Sequence, residues 1–294
     1  MRIDKKIADA RTLSFEVFPP KPEADDDLSG IKRTIAELSS SSPDFVSVTF
    51  GAGGNNRPRA LDIAKIVTSH GMVPLSHITA AGYTREDASR LLGLLRDLGV
   101  ENILALRGDV PKDVSEETCW RDYRRASELS AHVSEFGAFC IGGAAYPEGH
   151  QHSVSTEMDI RFMKEKVESG VSFFITQLFF DNDAFFRFAE RVAGVLDTPV
   201  IAGIMPVFRA SQITRVIEIS GCRAPEKLSS LLDKYMDDDD SMREAGIDYA
   251  VEQINGLWSA GTRGVHIYTM NRSREILEIL KRCDLPGRGE SVQR

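Results

Sequence analysis

Apolar runs recur along the chain with a steady beat, and each is followed by a stretch of helical periodicity. Leu13 to Phe18, Phe45 to Phe50, Val73 to Thr79, Ile103 to Arg107, Ala138 to Ala145, Phe173 to Phe180, Val200 to Ile204 and Val265 to Met270 read as strands. Helices are expected at Asp25 to Leu38, Arg57 to Ser69, Arg85 to Leu98, Trp120 to Phe136, Thr156 to Ser169, Asn182 to Val195, Ser211 to Ser220 and Arg274 to Arg282. Strict alternation at about 30 residues per unit implies parallel strands with right-handed crossovers. Eight units favour a closed (β/α)8 barrel, the TIM barrel of the α/β class, over an open sheet.

The interval from Ile204 to Val265 is too long for one helix, and Pro225 to Met236 and Met242 to Ser259 read as extra helices between strands 7 and 8. The run Asp237 to Asp240 reads as a helix cap rather than a metal site, because adjacent side chains diverge while acids favour a helix N-terminus. Phe173, Phe174, Phe179, Phe180, Phe185, Phe186 and Phe188 are expected in the core, on both faces of a barrel strand and on the helix packed against it. Residues 1–294 are taken as one barrel domain without a C-terminal regulatory domain, ending in a loose tail from Pro286.

Polar residues gather where this architecture places its catalytic face, at the C-terminal ends of the strands. Glu16, in Ser14-Phe15-Glu16-Val17-Phe18-Pro19-Pro20-Lys21, shares one strand face with Ser14 and Phe18, and the prolines stop the ladder. A carboxyl among phenylalanines loses water, which favours its protonated form and suits it to act as a general acid. Strand two ends near Thr49, strand three at His77 and Thr79, and strand four at Arg107 and Asp109. Strand five ends with Tyr146 and His150, strand six carries Gln177, and strand eight ends with Tyr268 and Arg272. Gly108, between Arg107 and Asp109, lets the backbone approach a flat ligand.

Composition narrows the partners. A net charge of -8 with no Lys/Arg cluster argues against nucleic acid and anionic membranes. No run reaches the roughly 20 apolar residues of a membrane span, and the amino end lacks the apolar core of a secretory signal, so a cytoplasmic protein is expected. The four cysteines are scattered, with neither a disulfide framework nor a Cys-x-x-Cys metal site. His150-Gln151-His152 has metal half-site spacing, but strand one offers no histidine to complete it, and His266 is read as facing away from the inward set containing Tyr268. No metal is therefore expected, and His70 and His132 are read as surface residues on helices. Gly51-Ala52-Gly53-Gly54 departs from G-x-G-x-x-G, so a Rossmann dinucleotide site is not supported.

Taken together, SFEVFPPK, FVSVTFGAGG, LALRGD, AAYPEGH, ITQLFFD, GIMPV and GVHIYTMNR resemble, in order and over nearly the whole chain, the flavin-dependent methylenetetrahydrofolate reductases of bacterial single-domain type. The resemblance implies non-covalent FAD at the strand C-termini, and reduction of 5,10-methylenetetrahydrofolate to 5-methyltetrahydrofolate with NADH or NADPH. The two substrates share one pocket in turn, and the assembly is homo-oligomeric. By position, Glu16 resembles the general acid, and Asp109 the carboxylate beside flavin and pterin. Gln177, Gln212, Arg272 and Tyr268 resemble folate contacts, and Thr49 and Gln177 nicotinamide contacts. Phe50, Ala52, His77, Arg107, Gly108, Asp109, Ala126, Tyr146, His150, Asp159 and Lys166 resemble the FAD site. Val216, Phe162 and Glu165 stand where the family places a stacking Phe and a flavin-contacting Asn and Arg. Rival readings are another flavin barrel, such as a proline dehydrogenase, and a silent folate-binding barrel.

Overall fold

The structure is a computed structural model describing residues 1–21, 24–25, 27–50, 57–110, 114–151 and 153–287. A seven-residue helix α1 (Ile3–Asp9) precedes β1 (Thr12–Val17), followed by α2 (Ser29–Ser39), β2 (Phe45–Val48), α3 (Arg57–Ser69) and β3 (Pro74–Thr79). Next come α4 (Arg85–Asp97), β4 (Asn102–Leu106), α5 (Glu116–Cys119), α6 (Ala126–Phe136), β5 (Cys140–Ala145), α7 (Thr156–Glu168), β6 (Val171–Thr176) and α8 (Asn182–Ala193). The chain closes with β7 (Val200–Ile204), α9 (Ala210–Ser220), α10 (Glu226–Lys234), α11 (Asp239–Ser259), β8 (Gly264–Tyr268) and α12 (Ser273–Arg282). The eight strands are parallel and form a closed barrel in sequence order. β1 pairs with β8 through Ser14↔His266 and Glu16↔Tyr268, and with β2 through Glu16↔Ser47.

Alternation along the strands sorts side chains into two cores. Leu13, Phe15 and Val17 face outward into the shell between barrel and helices, with Val46, Val48 and Phe50 beside them. Phe45, Leu75, Leu104, Phe173, Ile175 and Ile201 point inward and fill the lower barrel, where Ile3 and Ile7 of α1 close the floor. Sequence periodicity misses α1 because seven residues with two buried apolar positions fall below the window in which a helical period can be counted. Burial of each such side chain contributes about 1.5–3 kcal/mol. The helices follow the same logic: α4 buries Ala88, Leu91, Leu92 and Leu95, one face of a 3.6-residue period, and Thr84 caps it by accepting from Asp87 N–H.

Several boundaries differ from expectation for local reasons. α2 starts four residues late, because the Asp25 carboxylate accepts from the Gly30 and Ile31 amides and Leu28 takes a left-handed φ of 60°. α11 starts three residues early, capped by Asp238 on Ser241 N–H with Asp239 and Asp240 in its first turn, as the acidic run implied. The helix expected from Trp120 starts at Ala126 instead, since Glu128 reaches back to the Arg124 and Arg125 amides and fixes that start, while the short α5 lies before Trp120. Three helices, α9 to α11, lie between β7 and β8.

Candidate active site

The inward row above the apolar floor is polar. Ser14, Glu16, His77, His266 and Tyr268 come from strands β1, β3 and β8, and Ser47 of β2 lies between them. Glu16 is 6% exposed and His266 is fully buried, so the acid is an interior group rather than a strand-edge one. Glu16 Oε2 accepts from Ser47 Oγ at 3.3 Å and lies 3.4 Å from His77 Nε2 and 3.9 Å from His266 Nε2. His266 spans the two serines, with Nδ1 2.8 Å from Ser14 Oγ and Nε2 3.3 Å from Ser47 Oγ. Its ring stacks on Phe45 at 5.8 Å and meets Tyr268 edge-on at 5.4 Å.

His266 therefore faces inward, which corrects the sequence reading. Positions 266 and 268 are two apart, and a strand places such positions on one face. His77 is held below the usual imidazole range by burial, partly offset by the Glu16 charge. Burial pushes the Tyr268 hydroxyl well above the usual phenol range, and nearby Glu16 and Tyr146 push the same way. Tyr268 spends its proton on the Thr176 carbonyl at 2.6 Å. Gly203 makes the room, since a Cβ there would stand 2.3 Å from that carbonyl oxygen and 2.9 Å from the Tyr268 ring.

Beside this mouth opens a cavity of about 620 Å³ lined by the ends of β4 and β5 and by α6 and α7. Arg107, Asp109, Ala126, Tyr146, His150, Asp159 and Lys166 all line it, bringing together seven of the residues expected around a flavin. Gly108 has φ +75°, and a Cβ there would stand 2.8 Å from Thr79 Cβ, so conformation and space both select glycine. Arg107 lies 4.1 Å over the Trp120 ring and donates to the Arg124 carbonyl, rather than closing the rim against Asp109. Asp159 and Lys166 share one face of α7: Asp159 accepts from His150 N–H at 3.1 Å, and Lys166 Nζ donates to the Ala144 carbonyl at 2.7 Å. Burial lowers the Lys166 ammonium to about 8, with Asp159 opposing the drop. Burial also raises the Tyr146 hydroxyl to about 12, helped by Asp109 and Asp159.

The departures at Phe162 and Glu165 are internally compensated. Both line the cavity; Arg125 pairs with Glu165 at 3.1 Å and lies 5.2 Å over the Phe162 ring. Arg161 pairs with Glu165 from its other side at 3.4 Å.

Other expected residues fall elsewhere. Thr49 continues the inward row of Ser47, and its amide donates to the Val17 carbonyl. Gln177 continues the inward row of Phe173 and Ile175, and its Oε1 accepts from Leu178 N–H. Arg272 pairs with Glu275 and lies 5.4 Å over Phe208, just before α9, which carries Gln212 and Val216 in successive turns. The Phe50 side chain is packed in the outer shell, so its ring does not face the cavity and only its main chain remains for a ligand. Ala52 and His152 lie outside the described residues. His132 is buried, not superficial: Tyr123 Oη meets its Nδ1 and Ser89 Oγ its Nε2. His70 is exposed, as expected. Among the described residues no group of three or more His, Cys, Asp or Glu could hold a metal, and no helix is long and apolar enough to cross a membrane.

The sequence profile of the methylenetetrahydrofolate reductases matches residues 2–284, which decides the affiliation. The chain belongs to the methylenetetrahydrofolate reductase family. It is 32% identical to the 5,10-methylenetetrahydrofolate reductases of Pectobacterium carotovorum and Escherichia coli, over 89% of this chain and 86% of each of those. It is also 32% identical to methylenetetrahydrofolate reductase 1 of Schizosaccharomyces pombe over 93% of this chain, spanning about half (46%) of that relative's length. A Clostridium thermocellum protein described as binding two copies of 5-methyl-5,6,7,8-tetrahydrofolic acid shares the fold, with a TM-score of 0.70 at 14% identity over 95% of this chain and 96% of that one. Membership in the methylenetetrahydrofolate reductases makes the polar mouth, rather than the apolar lower barrel, the place to look for chemistry.

Proposed function

We propose that the chain reduces 5,10-methylenetetrahydrofolate to 5-methyltetrahydrofolate with NADH or NADPH, using FAD, and so supplies methyl groups for methionine synthesis. One observation carries the reading: a buried carboxyl, Glu16, stands at the mouth of the barrel beside a cavity lined by Arg107, Asp109, Tyr146, Asp159 and Lys166.

The cavity fits the cofactor. Its cations Arg107, Arg124 and Lys166 suit a diphosphate, its aromatic rings suit flat ring systems, and the acid of Glu165 is already neutralised by Arg125. Lys166 and Asp159 would hold the nucleotide half, while Arg107, Gly108, Asp109 and Tyr146 would flank the ring system, with His77 at its edge. Bound FAD supplies the hydride chemistry that links the two substrates.

The side chains supply proton transfer and charge. Glu16 gives its proton to N10 of the imidazolidine ring; the methylene–N10 bond breaks with its electron pair going to N10, and the N5 lone pair forms a cationic iminium. Asp109 offers negative charge where that cation develops. Addition of hydride to the iminium carbon leaves a methyl group on N5, which balances the reaction. Arg272 suits the anionic end of folate, while Gln177 and Thr49 line the route shared with the nicotinamide. One mouth for both substrates implies ping-pong kinetics.

The test is a single-turnover pair on the purified protein: bleaching of added FAD by NADH or NADPH, then reoxidation by the methylene folate. Failure to take up FAD, or reoxidation that ignores the folate, would overturn the proposal.

A further inference from the structure

The contacts around Glu16 fall on one oxygen. Ser47, His77 and His266 all approach Oε2, at 3.3, 3.4 and 3.9 Å, which fixes the orientation of the carboxyl. Behind it a hydrogen-bonded file runs inward from Glu16 through Ser47 to His266 and on to Ser14, which donates to the Val265 carbonyl. Because Ser14 gives its proton to that carbonyl, its oxygen accepts from His266 Nδ1–H.

This leaves two ways to fill the file with the same number of protons. In one, Ser47 donates to a Glu16 carboxylate and accepts from His266 Nε2–H, so His266 is an imidazolium. In the other, Glu16 is protonated and donates to Ser47, which donates to a neutral Nε2. They interconvert when His266 gives a proton to Ser47 Oγ as Ser47 gives its own to Glu16 Oε2; no bond between heavy atoms changes, and rotation of the Oε2–H bond away from Ser47 offers that proton to the substrate. His266 is fully buried, with Phe45 and Tyr268 against its ring, so the file is a closed spur with Glu16 at its open end.

We propose that His266 is a positioning residue that stores the proton of Glu16 through Ser47, keeping the acid loaded until the folate nitrogen takes it. The proposal rests on the reading of Glu16 as the acid of the folate half-reaction and adds the source of its proton. The storage role is specific to His266 because the other groups facing the pair are placed differently. From β3, His77 touches Oε2 directly, outside the serine file, and burial favours its neutral form. From β8, Tyr268 donates to Thr176 and keeps its proton, and Tyr146, just after β5, is held protonated by burial. From β2 the Ser47 hydroxyl and the Phe45 ring face inward beside them.

The test is a pH titration of the full chain labelled with nitrogen-15 histidine, followed by NMR, in the wild type and in Glu16→Gln, Ser47→Ala and Ser47→Thr. The pH response of the His266 signals should change in Glu16→Gln. Ser47→Ala should uncouple it, and Ser47→Thr, which restores a hydroxyl, should recover it. A His266 transition indifferent to Glu16→Gln overturns the proposal. Single-turnover kinetics give an independent arm: His266→Gln should slow the folate half-reaction by roughly tenfold or more and displace its pH profile, while bleaching of the cofactor by the nicotinamide keeps its rate. Wild-type folate rate and pH profile in His266→Gln would also overturn it. A wild-type protein that never reduces folate rejects the functional reading instead, and the titration still decides whether the two side chains share a proton.

Discussion

Glu16 of β1 and His77 of β3 meet inside the barrel, Oε2 to Nε2 at 3.4 Å, across the width of the intervening strand β2. Both residues are 6% exposed. A carboxyl in that position has little freedom to swing, since Ser47 fixes the same oxygen. Position and proton therefore separate experimentally: an amide at residue 16 preserves the shape and removes only the acid. Glu16→Gln is expected to slow folate reduction by about 10²–10⁴-fold, with cofactor reduction by the nicotinamide retained. Rapid mixing of each half-reaction measures both, and survival of the folate step removes Glu16 from the acid role.

Much of this arrangement was legible in the residues, and the failures have physical causes. Eight apolar runs at even spacing led to the closed barrel, and polar residues at the strand ends led to the mouth, because both follow from the period of a strand. Ser47 goes unmarked in the sequence and His266 is read there as facing away, although parity along β2 and β8 points both inward; a serine in a strand carries no chemical signature until its partners are known. His132 was misplaced because Tyr123, its cover, comes from the loop before α6, a contact that helical periodicity does not encode. Phe50 was assigned to the cofactor by motif alone, against the alternation that puts its ring in the outer shell.

Gly203 is expected to resist even a methyl group. Its amide donates to Thr176 Oγ1 at 2.9 Å, and the added Cβ would press on the Thr176 carbonyl that Tyr268 also uses. Gly203→Ala should cost about 1–3 kcal/mol through forced displacement of packed groups. Urea unfolding should show a lower midpoint with an unchanged slope. An unaltered midpoint would mean that β7 and Tyr268 separate more easily than their packing indicates.

On the acid side, stability should depend on His132. Burial holds its imidazole below 6.5, the ordinary value, so the unfolded chain takes up a proton before the folded one does. The contribution of the neutral ring is complete above 6.5 and is lost as pH falls toward the lower folded value. His77 shifts in the same direction and adds to the loss. The free energy of unfolding, measured by urea at pH 7 and at pH 5, should therefore drop on acidification, and His132→Gln should drop less. Equal slopes in the two proteins would show that His132 is protonated without cost in the fold.

Lys166 gives the same sign in a higher pH window, and a link to ligand. Its ammonium, donated to the Ala144 carbonyl on the barrel wall, titrates near 8 because burial disfavours its charge, against 10.5 in the unfolded chain. In the cofactor-free protein the unfolded state holds more protons between those values, so stability should rise as pH climbs from about 8 to about 10.5. An anionic diphosphate in the cavity favours the charged amine, so binding takes up a proton above pH 8 and affinity for FAD should weaken there, by at most about tenfold per pH unit. Lys166→Met should bind FAD less tightly at pH 7 and show a flatter dependence between pH 7 and 9, measured by titration calorimetry at each pH. Wild-type affinity and slope in that variant would place the diphosphate away from α7, and would return the nucleotide half of the cavity to Arg107 and Arg124 on its other wall.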